Sequence, residues 1–229
     1  MMLFLQAGML ALPCKKIISK SMTEENSKSN SSILLEDYAY FDKEDHVWIT
    51  RRNLPHVTQN NVIYFVTFRL HDSIPKDKAK DLEDKRILWK NMHHEPYTKE
   101  DYNEYYRLFS DRIEDLLNSG YGSCLLQIKE NKEIIENTLK YFDRKKYILD
   151  EYIIMPNHVH VLVKPINDFT LKEILHSWKS FTANMINKRM GLGSQLWMHE
   201  SFDHIVRSEE ALEFLKEYIK NNPKKRKVE

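Results

Sequence analysis

Tyr152-Ile-Ile-Met-Pro156-Asn157-His158-Val159-His160-Val-Leu-Val163 is the stretch on which the fold turns. Two apolar runs, Tyr147–Met155 and His158–Lys164, are separated by Pro156-Asn157. That pattern reads as an antiparallel hairpin. Alternation along a strand sends residues i and i+2 to one face, about 7 Å apart at about 3.3 Å rise per residue. His158 and His160 therefore project side by side, while Val159, Val161 and Val163 face the other way into a core. Two imidazoles so placed can hold one metal ion between them. A histidine in an apolar strand is more often a packed core or edge residue, so the pair needs a partner elsewhere in the chain and a reason for a metal.

Upstream of the hairpin, Asn61 to Leu70 is dense in β-branched and aromatic residues and reads as a buried strand. Lys76 to His94 and Lys99 to Ser119 are charged and helix-prone, the second ending before Gly120 and Gly122. Glu130 to Phe142 is a third amphipathic helix, and Thr170 opens a fourth that runs to about Arg189, near Gly191 and Gly193. Trp197 to Val206 reads as irregular or as a short strand. Ser208 is an expected N-cap, with Glu209 and Glu210 where acids suit the helix dipole. The last helix must stop near Asn222, because Pro223 disfavours helical geometry in the residue before it. The order β, helical insert, ββ, α, short β, α implies an α+β domain whose sheet is covered by helices on one side.

With 229 residues, the chain has room for one domain with decorations or at most two small ones. Its 41% apolar and 30% charged content fits a soluble protein with a sizeable core. A net charge of +1 gives no global signal for nucleic acid, so any such signal is local. Lys224-Lys225-Arg226-Lys227 supplies one at the end of the chain. Cys14 and Cys124 form no disulfide framework or zinc spacing, which suits a reducing cytoplasm. Met1 to Pro13 is apolar but too short to span a bilayer and lacks a basic stretch before it. Residues 1–35 are expected to carry no fold, residues 36–223 to form the domain with an insert at about 76–120, and residues 224–229 to be a basic tail.

The last helix contains Tyr218-Ile-Lys-Asn-Asn222, which puts Tyr218 and Asn222 on one face. Leu212, Leu215 and Ile219 form the adjoining face that docks on the sheet. Taken alone, such a tyrosine is an amphipathic core-edge residue and such an asparagine a helix stop. Beside a metal the reading changes. A phenol with its pKa of about 10 is a poor nucleophile unaided. Next to a metal-polarised phosphate it can attack phosphorus in line and form a covalent phosphotyrosine. The bond energy of the phosphodiester is then kept, and the strand can be rejoined without a nucleotide cofactor.

Pro156-Asn-His-Val-His160 resembles the HUH motif (His, hydrophobic, His) of single-tyrosine transposases. The wider chain, over about residues 50–223, is similar to the REP-associated tyrosine transposases, relatives of the insertion-sequence-200-like enzymes. The similarity runs through Arg51-Arg-Asn-Leu-Pro-His56, Tyr64-Phe-Val-Thr-Phe-Arg69, Met155–Val163, Trp178-Lys-Ser-Phe-Thr-Ala183, Trp197 with Glu200-Ser-Phe-Asp-His204 and Arg207, and Tyr218-Ile-Lys-Asn-Asn-Pro223. HxH alone is weak, but this ordered set is specific. It implies a ferredoxin-like antiparallel sheet with helices packed on it and the histidine motif on a central strand. It also implies Mg²⁺ or Mn²⁺ as cofactor and single-stranded DNA, often carrying a hairpin, as substrate. By position Tyr218 matches the nucleophile, His158 and His160 the metal ligands, and Asn222 the polar group that completes the site. Relatives act as monomers or homodimers, and nothing in this sequence decides between them. The chain departs from them after Asn222-Pro223, where a small-residue stretch is replaced by the basic tail.

Lys179, Arg207 and Arg69 are candidate phosphate contacts, each weighed against a surface charge or an ion pair, and Lys224 and Lys225 join them. Trp178 and Trp197 suit stacking on unpaired bases or, for at least one, core packing. Asp203 and His204, beside Arg207, read as supporting or structural residues. His93-His94 with Glu95 is rejected as a metal cluster, because successive side chains diverge. Two further readings compete with a strand-cutting enzyme: a non-cleaving hairpin-binding protein descended from a transposase, and a structural domain with packed histidines.

Overall fold

The two runs on either side of Pro156-Asn157 are antiparallel partners, with Ile153 opposite His160 and Ile154 opposite Val159. A computed structural model describes residues 39–42, 44–51, 55–94, 98–193 and 195–222. The expected N-terminal tail at 1–35 and the basic end with Lys224 and Lys225 lie outside the described residues. In chain order the elements are β1 (Trp48–Arg51), β2 (Pro55–Thr58), β3 (Tyr64–Arg69), α1 (Lys76–Met92), α2 (Lys99–Tyr105), α3 (Asp111–Asn118), α4 (Lys129–Tyr141), β4 (Tyr147–Ile154), β5 (His158–Pro165), α5 (Leu171–Met190), β6 (Phe202–Ile205) and α6 (Glu209–Asn221). The hairpin of β1 and β2 is an addition to the elements expected from the sequence.

The main sheet has the order β4-β5-β3-β6, antiparallel throughout. The paths β3–α4–β4 and β5–α5–β6 each skip one strand, which is the ferredoxin-like arrangement. The histidine strand β5 is central, as expected. Alternation sorts its side chains by face. Val159, Val161 and Val163 join Tyr64, Val66 and Phe68 in a core closed by Leu139 of α4 and Ile174, Trp178 and Ile186 of α5. On the opposite face, Leu162 packs with Phe65 and with Leu212, Leu215 and Ile219 of α6. Helices therefore cover both faces, not one. Strands apolar on both sides leave a second face that must also be buried, and α6 supplies the cover.

Local chemistry sets the helix ends. Thr170 and Glu173 form a reciprocal capping box at the start of α5, and Gly191 closes that helix at φ 66°. The Ser208 hydroxyl accepts the Ala211 N–H at 3.2 Å and starts α6, as the sequence indicated. Lys216 and Lys220 then pair with Asp150 and Glu151 of β4 at 3.4 and 3.5 Å, fastening α6 to the sheet.

The helix expected over Lys99 to Ser119 is interrupted by a π-turn at Tyr106–Ser110. One extra residue per turn shifts the phase of the succeeding turns by about 100°. Leu116 and Leu117 of α3 enter a separate cluster with Ile74, Leu82, Trp89 and Phe109, which gives the insert its own small core. The neck of the insert is clasped. Ser123 N–H donates to Asp72 at 2.7 Å, and Gly122 at φ +86° lies so close to Asp72 that a Cβ there would stand 2.5 Å from its carbonyl oxygen.

Candidate active site

His158 and His160 are both fully buried, and their Nε2 atoms stand 3.0 Å apart. The groups behind each ring decide what the front can do. Asn157 donates its amide to the carbonyls of Leu117 and Tyr121 at 3.2 and 3.1 Å. Its Oδ1 must therefore accept from His158 Nδ1, 2.8 Å away, and the neutral ring keeps a bare Nε2. Thr67, opposite His160 in register, meets His160 Nδ1 at 2.8 Å with its hydroxyl.

The third group comes from the insert. Glu114 of α3 places Oε1 3.4 Å from His160 Nε2, and ligand atoms of Glu114, His158 and His160 all lie within 4.8 Å of one another. Burial pushes the Glu114 carboxyl up. The hydrogen bond to His160, the charge of His160 and a hydrogen bond from Tyr218 outweigh that and hold it down at about 2. Burial first and the charge of His160 second push His158 down to about 3, so it is neutral at neutral pH. Three groups able to offer electron pairs thus converge on one point, where a proton or a metal ion can sit between them.

A metal fits by distance as well as by charge. Two nitrogen donors about 2.1 Å from one ion and at right angles to each other stand about 3.0 Å apart. That is the separation of the two Nε2 atoms. Two imidazoles and one carboxylate form a mixed donor set suited to a divalent ion, with open positions for substrate or water.

Tyr218 reaches the same place from α6. Its ring meets His160 edge-on at 5.5 Å between centroids and Phe65 at 6.0 Å, and its hydroxyl donates to Glu114. The expected trio of Tyr218, His158 and His160 is therefore gathered on one sheet face. Asn222, at the end of α6, is fully buried with neither side-chain polar atom bonded among the described residues.

The candidate phosphate contacts are spread more widely. Arg69 stands opposite His158 in register and donates to Ser73 at 2.9 Å. Lys179 of α5 donates to the His199 carbonyl and Ser201, at 2.7 and 3.3 Å. Burial, then Arg69, lowers the Lys179 pKa to about 8. Arg207 lies over Phe41 at the far end of β6, 4.9 Å from the ring centroid. None of the three has an ion pair among the described residues, which corrects the ion pair weighed for Arg69. Trp178 and Trp197 are both core residues, 1% and 4% exposed, so neither is a stacking platform. His204 shares the face of Phe65 and is buried, while Asp203 points to the other face.

Residues 123–222, which hold both histidines and the tyrosine, match the family described as "Transposase IS200 like". Over those residues, somewhat less than half of the chain, the sequence is similar to the IS200-like transposases. A Haemophilus influenzae protein without an assigned function is 25% identical over 114 residues, covering 40% of this chain and 62% of its own length. A solved REP-associated tyrosine transposase bound to a REP hairpin is similar at 14% identity and a TM-score of 0.42, over 72% of this chain and 68% of its own. No helix among the described residues is long and apolar enough to cross a membrane.

Glu114 is the site residue with no signature in the sequence. It lies in the insert, outside the segment that matches the transposase family, and it is one of 34 acidic residues. No local pattern singles it out. Only the fold brings it to the histidines.

Proposed function

We propose that this protein is a metal-dependent endonuclease and strand-transferase of single-stranded DNA that works through Tyr218. One observation carries the reading: a helix-borne tyrosine beside a histidine pair whose nitrogens are spaced for one metal ion. His158 and His160 would hold Mg²⁺ or Mn²⁺. When bound there, such an ion supplies Lewis-acid polarisation and charge neutralisation at a phosphate.

The chain's own groups do the rest. Tyr218 Oη attacks phosphorus as its phenol proton is given up, the bond from phosphorus to the 3′-oxygen breaks, and that oxygen takes up one proton in exchange and leaves as the 3′-hydroxyl. DNA remains on the enzyme as a 5′-phosphotyrosine, and the reverse step rejoins a strand. Asn157 and Thr67 hold the imidazoles in place, and Phe65 packs against both His160 and Tyr218. Arg69, in register with His158, supplies positive charge beside the centre, with Lys179 near Arg69 and Arg207 farther along the sheet, for a DNA backbone. Lys224 and Lys225 extend this charge in the sequence. A hairpin-bearing strand is the substrate class, as the ordered motif set of the chain implies.

The test is incubation with labelled single-stranded hairpin oligonucleotides and Mn²⁺, followed by a denaturing gel. We expect a protein–DNA adduct that disappears with chelator and with Tyr218→Phe. Hairpin binding with no adduct for any sequence would favour a non-cleaving hairpin-binding protein instead.

A further inference from the structure

We infer that Glu114 completes the metal site, so that the helical insert is a working part of the active centre. The inference rests on the proposed nuclease reading and deepens it. By resemblance the completing position goes to Asn222 on the tyrosine helix. The geometry points elsewhere. Glu114 Oε1 is 3.4 Å from His160 Nε2 and joins both histidines within 4.8 Å. It also brings the negative charge that a divalent cation favours, which an amide lacks.

The same carboxylate accepts the Tyr218 hydroxyl. One side chain thus spans metal ligand and nucleophile, and it positions the phenol beside the histidine pair. Being ionised, it is an acceptor only, so it can serve both sides through its two oxygens.

The insert is built to hold this residue still. Its core of Leu82, Trp89, Phe109, Leu116 and Leu117 fixes α3. At its far end, Asn157 takes the Leu117 and Tyr121 carbonyls with its amide and His158 Nδ1–H with its oxygen. Docking of the insert and orientation of a metal-facing imidazole therefore share one side chain. A decorative insert would need neither contact.

The experiment is Mn²⁺ titration of the full chain without DNA, with free Mn²⁺ read by electron paramagnetic resonance. The wild type, Glu114→Gln, Glu114→Asp and Asn222→Ala are compared, each checked by its chemical unfolding midpoint. We expect Glu114→Gln to weaken Mn²⁺ binding at least about tenfold, Glu114→Asp to recover part of that loss, and Asn222→Ala to change it less than about threefold. If Glu114→Gln fails to fold, Glu114→Asp carries the comparison, and unchanged affinity in it would overturn the inference. Wild-type affinity in a folded Glu114→Gln, with loss in Asn222→Ala, would return the position to the tyrosine helix. No Mn²⁺ binding by the wild type would overturn the metal-dependent reading itself, a result distinct from either.

Discussion

His158 shows how much of a site is decided by the atoms behind it. Its Nδ1–H is committed to Asn157, so its Nε2 lone pair faces forward, where His160 and Glu114 also face. The i, i+2 spacing made the pairing of the two imidazoles legible in the sequence, because strand alternation is a local rule. The carboxylate was illegible, because its approach depends on how a distant upstream segment folds. His204 makes a different point. Burial first and the charge of Arg207 second lower its pKa from 6.5 to about 4. Between those values the unfolded chain binds a proton that the folded chain does not. Stability is therefore full above pH 6.5 and falls as the pH falls, by about 3 kcal/mol at the lower end of the window. We expect the urea midpoint to drop between pH 7 and pH 5, and to drop less in His204→Phe, which keeps an aromatic ring without a titrating group. An equal drop in the variant would assign the acid sensitivity elsewhere, with His158 the next group to test.

Among the elements, amphipathic period and capping residues located most of what matters. The last helix begins at Ser208 and presents Leu212, Leu215 and Ile219 to the sheet, as its spacing indicated. Two things escaped. The π-turn at Tyr106–Ser110 leaves no mark in a stretch that is charged and helix-prone throughout, yet it sets the phase of α3. The cover on both sheet faces escaped because only the valine face was read as core, although Leu162 and Phe65 needed a partner too. The elements differ in what they hold. Leu139 of α4 is wholly buried in the main core, and Leu139→Ala should cost about 2–5 kcal/mol. Ser208→Ala removes only a cap and should cost about 1 kcal/mol. Comparing both unfolding free energies by urea denaturation checks the ranking. A cap variant as damaging as the core variant would mean that α6 docks far more weakly than its apolar face implies.

Across the whole molecule, the β-α-β-β-α-β path supplies a rigid platform, and each addition to it serves one sheet face. α4 and α5 bury the valine side, while α6 and the insert close over the histidine side. The platform was legible because its order follows from local patterns and from a motif set that resembles a known family. The assembly of Tyr218, the histidines and the insert carboxylate was only half legible, since Tyr218 lies on a recognisable helix and Glu114 does not. The decisive question is which atom bonds to DNA. Adduct formed with Mn²⁺ and a hairpin oligonucleotide can be trimmed with nuclease, digested with trypsin and sequenced by mass spectrometry. We predict a nucleotide attached through phosphate to Tyr218 and to no other of the twelve tyrosines. A nucleotide on Tyr64, Tyr152 or any other residue would contradict it.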